Sequence, residues 1–192
     1  VLRSRNIYGP YESKIVMAQG KTTVNGPHQG GWVDTNTGES WFVHFQDQGA
    51  YGRVIHLNPM KWINDWPVIG ADKDMDGCGE PVTTYKKPNV GRTYPVATPP
   101  ESDEFNTRHL GLQWQWHANK KDTYGFTTDL GYIRLYAGSL SKEFVNFWEV
   151  PNLLMQKFPA EEFTATAKLT FTAKQDGEQA GIIVMGWDYS YL

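Results

Sequence analysis

Short runs of β-branched and aromatic residues, broken by Gly, Pro, Asn and Asp, recur along the chain, while apolar residues at helical spacing are nearly absent. The pattern predicts an all-β protein. Gly30 to Val33 and Trp41 to Gln46 read as two strands. The loop Asp34-Thr35-Asn36-Thr37-Gly38-Glu39 joins them, and its Asn and Gly suit the positive φ of a hairpin connection. A third strand is expected from Arg53 to Leu57. Along the second, Trp41, Val43 and Phe45 fall on one face and Phe42 and His44 on the other, so both faces should be covered. Further on, Phe163, Ala165, Ala167, Leu169, Phe171 and Ala173 alternate with Thr164, Thr166, Lys168, Thr170 and Thr172. That alternation predicts a strand with one buried face. The turn Lys174-Gln175-Asp176-Gly177 then leads to the apolar run Ala180 to Met185, which should complete a hairpin.

Between the two strand-rich regions the text changes to Asp, Gly, Lys and Pro, ending Tyr94-Pro95-Val96-Ala97-Thr98-Pro99-Pro100. It reads as a linker stiffened by proline. The expected organisation is a first β-region over 1–70, a linker over 71–102 and a second β-region over 103–192. Strands of this length, about ten residues apart, suit propeller blades or a sandwich. The chain opens on Val1 in strand-like text and stops with fewer strands than a two-sheet sandwich uses, so the expectation is a piece truncated at both ends.

Composition narrows the function classes. The chain has 192 residues, 40% hydrophobic, with a formal net charge of -3 and no basic cluster, which argues against nucleic acid and anionic membranes as partners. No apolar stretch approaches the ~20 residues of a membrane helix, so no membrane insertion is expected. The single cysteine, Cys78, forms no intrachain disulfide and reads as a bystander in a loop. Aromatics make up 14% of the chain, a usage that suits β-cores and also the stacking of flat rings on sugars. In Asp72-Lys73-Asp74-Met75-Asp76-Gly77 the carboxylates alternate as at the opening of a calcium loop. An EF-hand would continue to Glu at the twelfth position, which here is Thr83, leaving a looser calcium site or a solvated acidic turn.

The succession of motifs resembles glycoside hydrolase family 43. It runs Ser4-Arg5-Asn6-Ile7-Tyr8-Gly9-Pro10-Tyr11-Glu12, Asn25-Gly26-Pro27-His28-Gln29-Gly30, Trp41-Phe42-Val43-His44-Phe45, Tyr51-Gly52-Arg53-Val54-Ile55-His56-Leu57, Met60-Lys61-Trp62 and Asp65-Trp66-Pro67-Val68-Ile69-Gly70. Beyond the linker, Phe105 and Leu110-Gly111-Leu112-Gln113-Trp114-Gln115-Trp116-His117 resemble the sandwich fused to the propeller in β-xylosidase and arabinofuranosidase members. The resemblance implies the last blades of a five-bladed β-propeller, followed by the first part of a concanavalin-like jelly-roll sandwich.

It also implies inverting hydrolysis that removes xylose or arabinose, with xylan- or arabinoxylan-derived oligosaccharides as partners. One carboxylate activates water while a protonated partner serves the leaving oxygen, about 6.5–9.5 Å apart. In the family's order the base, the acid and the modulating carboxylate precede Val1, so no catalytic residue is expected within the chain. Glu12, Asp34, Glu39, Asp47 and Asp65 match no catalytic position and read as solvated turn residues. His28 resembles the histidine near the propeller axis that is associated with calcium through water; its bland alternative is a loop hydrogen bonder. Arg53 resembles the last-blade arginine that reaches sugar hydroxyls in the terminal subsite, against a strand-edge surface cation. The rival function is a non-catalytic carbohydrate-binding or structural sandwich, with Trp114, Trp116, Trp148 and Trp187 as a stacking surface.

Overall fold

The computed structural model describes residues 1–192. It contains twelve strands and two 3-10 turns and no α-helix, as the absence of helical periodicity requires. The strands are β1 (Leu2–Arg3), β2 (Glu12–Ser13), β3 (His28–Asp34), β4 (Ser40–Asp47), β5 (Arg53–Ile63), β6 (Trp66–Ile69), β7 (Gln115–Trp116), β8 (Gly125–Thr127), β9 (Ile133–Leu135), β10 (Leu154–Met155), β11 (Ile183–Met185) and β12 (Tyr189–Tyr191). Two compact units emerge: Val1–Tyr94 together with Ala167–Leu192, and Pro95–Thr166.

The first unit is built on an antiparallel meander, β3-β4-β5-β6. All three expected strands lie in it, each longer than the sequence suggested. Gly38, at φ 84°, closes the β3–β4 hairpin, where Gly38 N–H donates to the Thr35 carbonyl. Register places Phe42, His44 and Gln46 beside Asn58, His56 and Val54 on one face of the sheet. That face is the buried one, where Val16, Met60 and Ile69 form an apolar cluster with Met17, Phe42 and Trp66 against it. The opposite face is only partly covered. Trp41 and Phe45 are buried, but Val43, Ile55 and Leu57 are open to solvent, so the expectation of two covered faces holds along part of β4 alone.

The proline-rich stretch is not free-standing over its first part. Ala71 bridges Glu80 and Met17 bridges Gly79, drawing 71–80 against the sheet. Gly79 is needed there, because a Cβ at this position would lie 1.9 Å from the Ile69 carbonyl oxygen. Val82 N–H donates to Asn58 Oδ1 at 2.7 Å. Beyond it, Glu39 takes Lys86 Nζ at 2.7 Å on one oxygen and Asn89 N–H at 2.8 Å on the other. These two bonds, the lysine's first, hold the Glu39 carboxyl below the usual glutamate range.

The second unit consists of short antiparallel pairs, β7 with β10 and β8 with β9. Asn146 caps the turn Phe147–Glu149 by accepting from Trp148 N–H. The alternating run Phe163 to Ala173 forms no strand and is exposed throughout. Alternation alone does not make a strand: the backbone N–H and C=O groups need a neighbouring strand, and none lies beside this segment. Gly177 still turns the chain, at φ 86°, but β11 pairs with β12 and not with the run before the turn.

Candidate functional site

The start of β3, the end of β4 and the start of β5 meet at one end of the meander, and they bring His28, Phe45, Asp47 and Arg53 to the same place. Register sets His28 opposite Phe45 and Asp47 opposite Arg53. The approach to His28 is irregular, since pairing shifts between His28 and Gly31 and Gln29 sits at φ 50°. Such a bulge re-aims the side chain that precedes it. Gly30 permits it, because a Cβ there would lie 2.2 Å from the Phe42 ring and 2.6 Å from the Val43 carbonyl oxygen. Arg53 is delivered by the 3-10 turn Gly49–Tyr51, closed by Gln48 N–H to the Gly52 carbonyl at 2.8 Å.

His28 is exposed, and its imidazole lies edge-on to Phe45 with ring centroids 4.4 Å apart. Its Nδ1 meets the Gly26 carbonyl oxygen, which only accepts, so Nδ1 carries the proton and Nε2 is left without a protein partner. The exposed Arg53 guanidinium lies over the same ring, 4.8 Å from its centroid. It makes no ion pair and no hydrogen bond within the chain. Asp47, directly across, is engaged elsewhere: its Oδ1 accepts from Gly49 N–H at 3.0 Å and its carbonyl from Asn25 Nδ2 at 3.1 Å. Five forked donors are therefore free for a polyhydroxy ligand. His28 and Arg53 were singled out from their motifs. That Phe45 joins them was not legible, because a phenylalanine in a β-run reads as core.

Behind these residues, on the opposite face of β4, lies a buried polar layer. His44 is 2% exposed and Asn58 0%. Val82 N–H fixes the orientation of Asn58 by donating to Oδ1, so Nδ2 donates to His44 Nε2 at 2.7 Å. His44 Nδ1 then carries the proton toward the Phe45 carbonyl at 3.3 Å. His56 stacks on His44 with centroids 5.4 Å apart and meets Gln46 Oε1 at 3.0 Å, while Gln46 Nε2 donates to the Thr23 carbonyl at 2.9 Å. Burial, first, and the nearby His56 hold the His44 pKa below the usual histidine value. His44 is neutral, and the layer is a support rather than a proton donor.

The carboxylates of Asp72, Asp74 and Asp76 offer ligand atoms within 4.8 Å of one another. Asp72 Oδ1 is buried without a hydrogen-bond partner, so these residues fit a hard divalent cation. His28 belongs to no such group of ligating side chains. Burial, first, and Asp76 beside it push the Cys78 thiol up, in keeping with an inert cysteine. Trp114 Nε1 is tied to Asp103 Oδ2 at 2.8 Å and Trp116 packs on Tyr124, while Trp187, 83% exposed, belongs to the other compact unit.

Residues 102–192 match the family model of the β-xylosidase C-terminal concanavalin A-like domain. A protein of Xylanibacter ruminicola is 47% identical over 173 residues, which are 88% of this chain and 32% of that protein. Over residues 102–192 the match is to glycoside hydrolase family 43. A relative named beta-xylosidase, from Formosa agariphila, is 35% identical over 217 residues, covering 100% of this chain and 36% of the relative. Among solved structures, a bifunctional GH43-CE protein of Bacteroides eggerthii superposes with a TM-score of 0.57 at 31% identity, over 81% of this chain and 19% of that one. The chain thus spans about a third of the length of the curated relatives it matches.

Proposed function

We propose that the chain supplies the sugar-contacting end of a propeller blade, and part of the accompanying sandwich, in an inverting glycosidase that removes xylose or arabinose from xylan-type chains. The observation that carries this reading is the convergence of His28 and Arg53 on Phe45, with every guanidinium donor unpaired. A pyranose or furanose ring presents several hydroxyls, and a planar fork of donors beside an apolar ring suits it. The relatives named for xylosidase activity agree with that chemistry. Xylan- and arabinoxylan-derived oligosaccharides are the partners it fits.

The general acid and base of such hydrolysis are a pair of carboxylates about 6.5–9.5 Å apart. Family order assigns them to sequence preceding Val1, so the 192-residue chain alone should release no sugar from aryl xylosides or aryl arabinofuranosides. In the full-length protein, Arg53→Ala and Arg53→Lys should each lower kcat/KM about ten-fold or more, since lysine keeps the charge but not the fork. Wild-type kinetics in both variants would return Arg53 to a surface cation. Calcium is the cofactor that fits the Asp72, Asp74 and Asp76 loop, where it would neutralise the three carboxylates and tie down the turn; no step of the reaction runs through it. Calcium raising the melting temperature of the wild type but not of Asp72→Asn would support that role, and equal responses would exclude it.

A further inference from the structure

We propose that Phe45 is a positioning residue for the sugar site: its ring sets the guanidinium of Arg53, and the His28 ring packs against it. The proposal rests on the reading of Arg53 as the sugar-binding arginine. Its own support is geometric. An arginine at the first position of a strand, preceded by a flexible Gly52 at φ 104°, would ordinarily sweep many rotamers. Here the usual restraint is missing: Asp47 opposite it gives one oxygen to Gly49 N–H and makes no ion pair with Arg53. The contact that orients Arg53 is the ring of Phe45, 4.8 Å from the guanidinium carbon. That contact uses none of the five N–H donors, whereas an ion pair would.

Phe45 can do this because it is itself held. It is 9% exposed, it lies in a strand hydrogen-bonded on both sides, and the His28 ring abuts its edge at 4.4 Å. The neutral His44 beside it in sequence is anchored by Asn58 from the opposite face. An aromatic at position 45 is thus required for a reason beyond core packing: a leucine would fill much of the space but offers no ring face to a cation.

The test is a double-mutant cycle in the full-length protein, with aryl β-xyloside and aryl α-L-arabinofuranoside as substrates. Phe45→Leu should lower kcat/KM about five-fold or more, and Phe45→Tyr, which keeps the face, should restore most of that loss. In an Arg53→Ala background Phe45→Leu should change kcat/KM by less than about two-fold, since its effect passes through an arginine no longer there. Fully additive losses, or an active Phe45→Leu enzyme beside an impaired Arg53→Ala enzyme, would overturn the positioning role while leaving the sugar-binding reading intact. A wild type inert toward both substrates, or an Arg53→Ala enzyme as active as wild type, would instead overturn that reading and this proposal with it. Should Phe45→Leu not fold, the wild-type 192-residue chain decides: the Arg53 side-chain methylene protons must show the upfield NMR displacement of groups held over a ring, and ordinary random-coil positions would refute the contact.

Discussion

Asn58 is the residue on which the buried polar layer closes, and its replacement is the most informative perturbation of the first unit. It is 0% exposed, accepts Val82 N–H at 2.7 Å and donates to His44 Nε2 at 2.7 Å. Asn58→Ala leaves a partly buried backbone donor and a buried imidazole acceptor without partners, at about 1–3 kcal/mol each with the donor at the lower end, and opens a small cavity besides. The expected loss is therefore about 3 kcal/mol or more, a large share of the roughly 5–15 kcal/mol that holds a domain folded. Native-state hydrogen exchange is the suitable assay, because amides of β4 and β5 report this unit separately. Their opening free energy should fall by that amount, and the Val82 amide should lose protection altogether.

The charge variant is a sharper probe. Asn58→Asp keeps an acceptor for Val82 but presents an acceptor to His44 Nε2, and only the imidazolium donates there while Nδ1–H still serves the Phe45 carbonyl. In the wild type the His44 pKa is depressed, so its contribution to stability is complete above the ordinary histidine value and is lost as pH falls through the folded value. In Asn58→Asp the folded pKa should be raised, so stability should instead be present at low pH and lost as pH rises. A loss below about 1 kcal/mol in Asn58→Ala, or the same direction of pH dependence in wild type and Asn58→Asp, would refute the assigned network.

Other expectations are simpler. Gly30→Ala should destabilise the meander by about 1–3 kcal/mol in denaturant titration, because the new methyl group would overlap the Phe42 ring and the Val43 carbonyl. Glu39→Gln should speed tryptic cleavage after Lys86, since the carboxylate that holds Lys86 and Asn89 is gone. The same tether should weaken in wild type as pH falls through the lowered Glu39 value and be intact above the ordinary glutamate range, which proteolysis across a pH series with an acid-tolerant protease would read.

Much of this was legible from residues alone. The meander strands were marked by β-branched and aromatic runs between turn residues, and Gly38 announced its hairpin, because strand and turn preferences act locally. The order of motifs marked the family, and it drew attention to His28 and Arg53. Other features depended on what lay alongside. Residues 71–94 had linker composition yet pack on the sheet, since Gly79 allows an approach that only the Ile69 carbonyl makes necessary. The run Phe163 to Ala173 had the cleanest alternation in the chain and forms no strand, because a ladder requires a second backbone that local sequence does not supply. Phe45 carried the same mark as any core aromatic, and only register brought His28 and Arg53 to its ring. Sequence patterns encode preferences for dihedral angle and for burial. Which side chains meet is decided by the pairing of strands distant in the chain, and the end of this sheet that carries His28 and Arg53 is made by such a pairing.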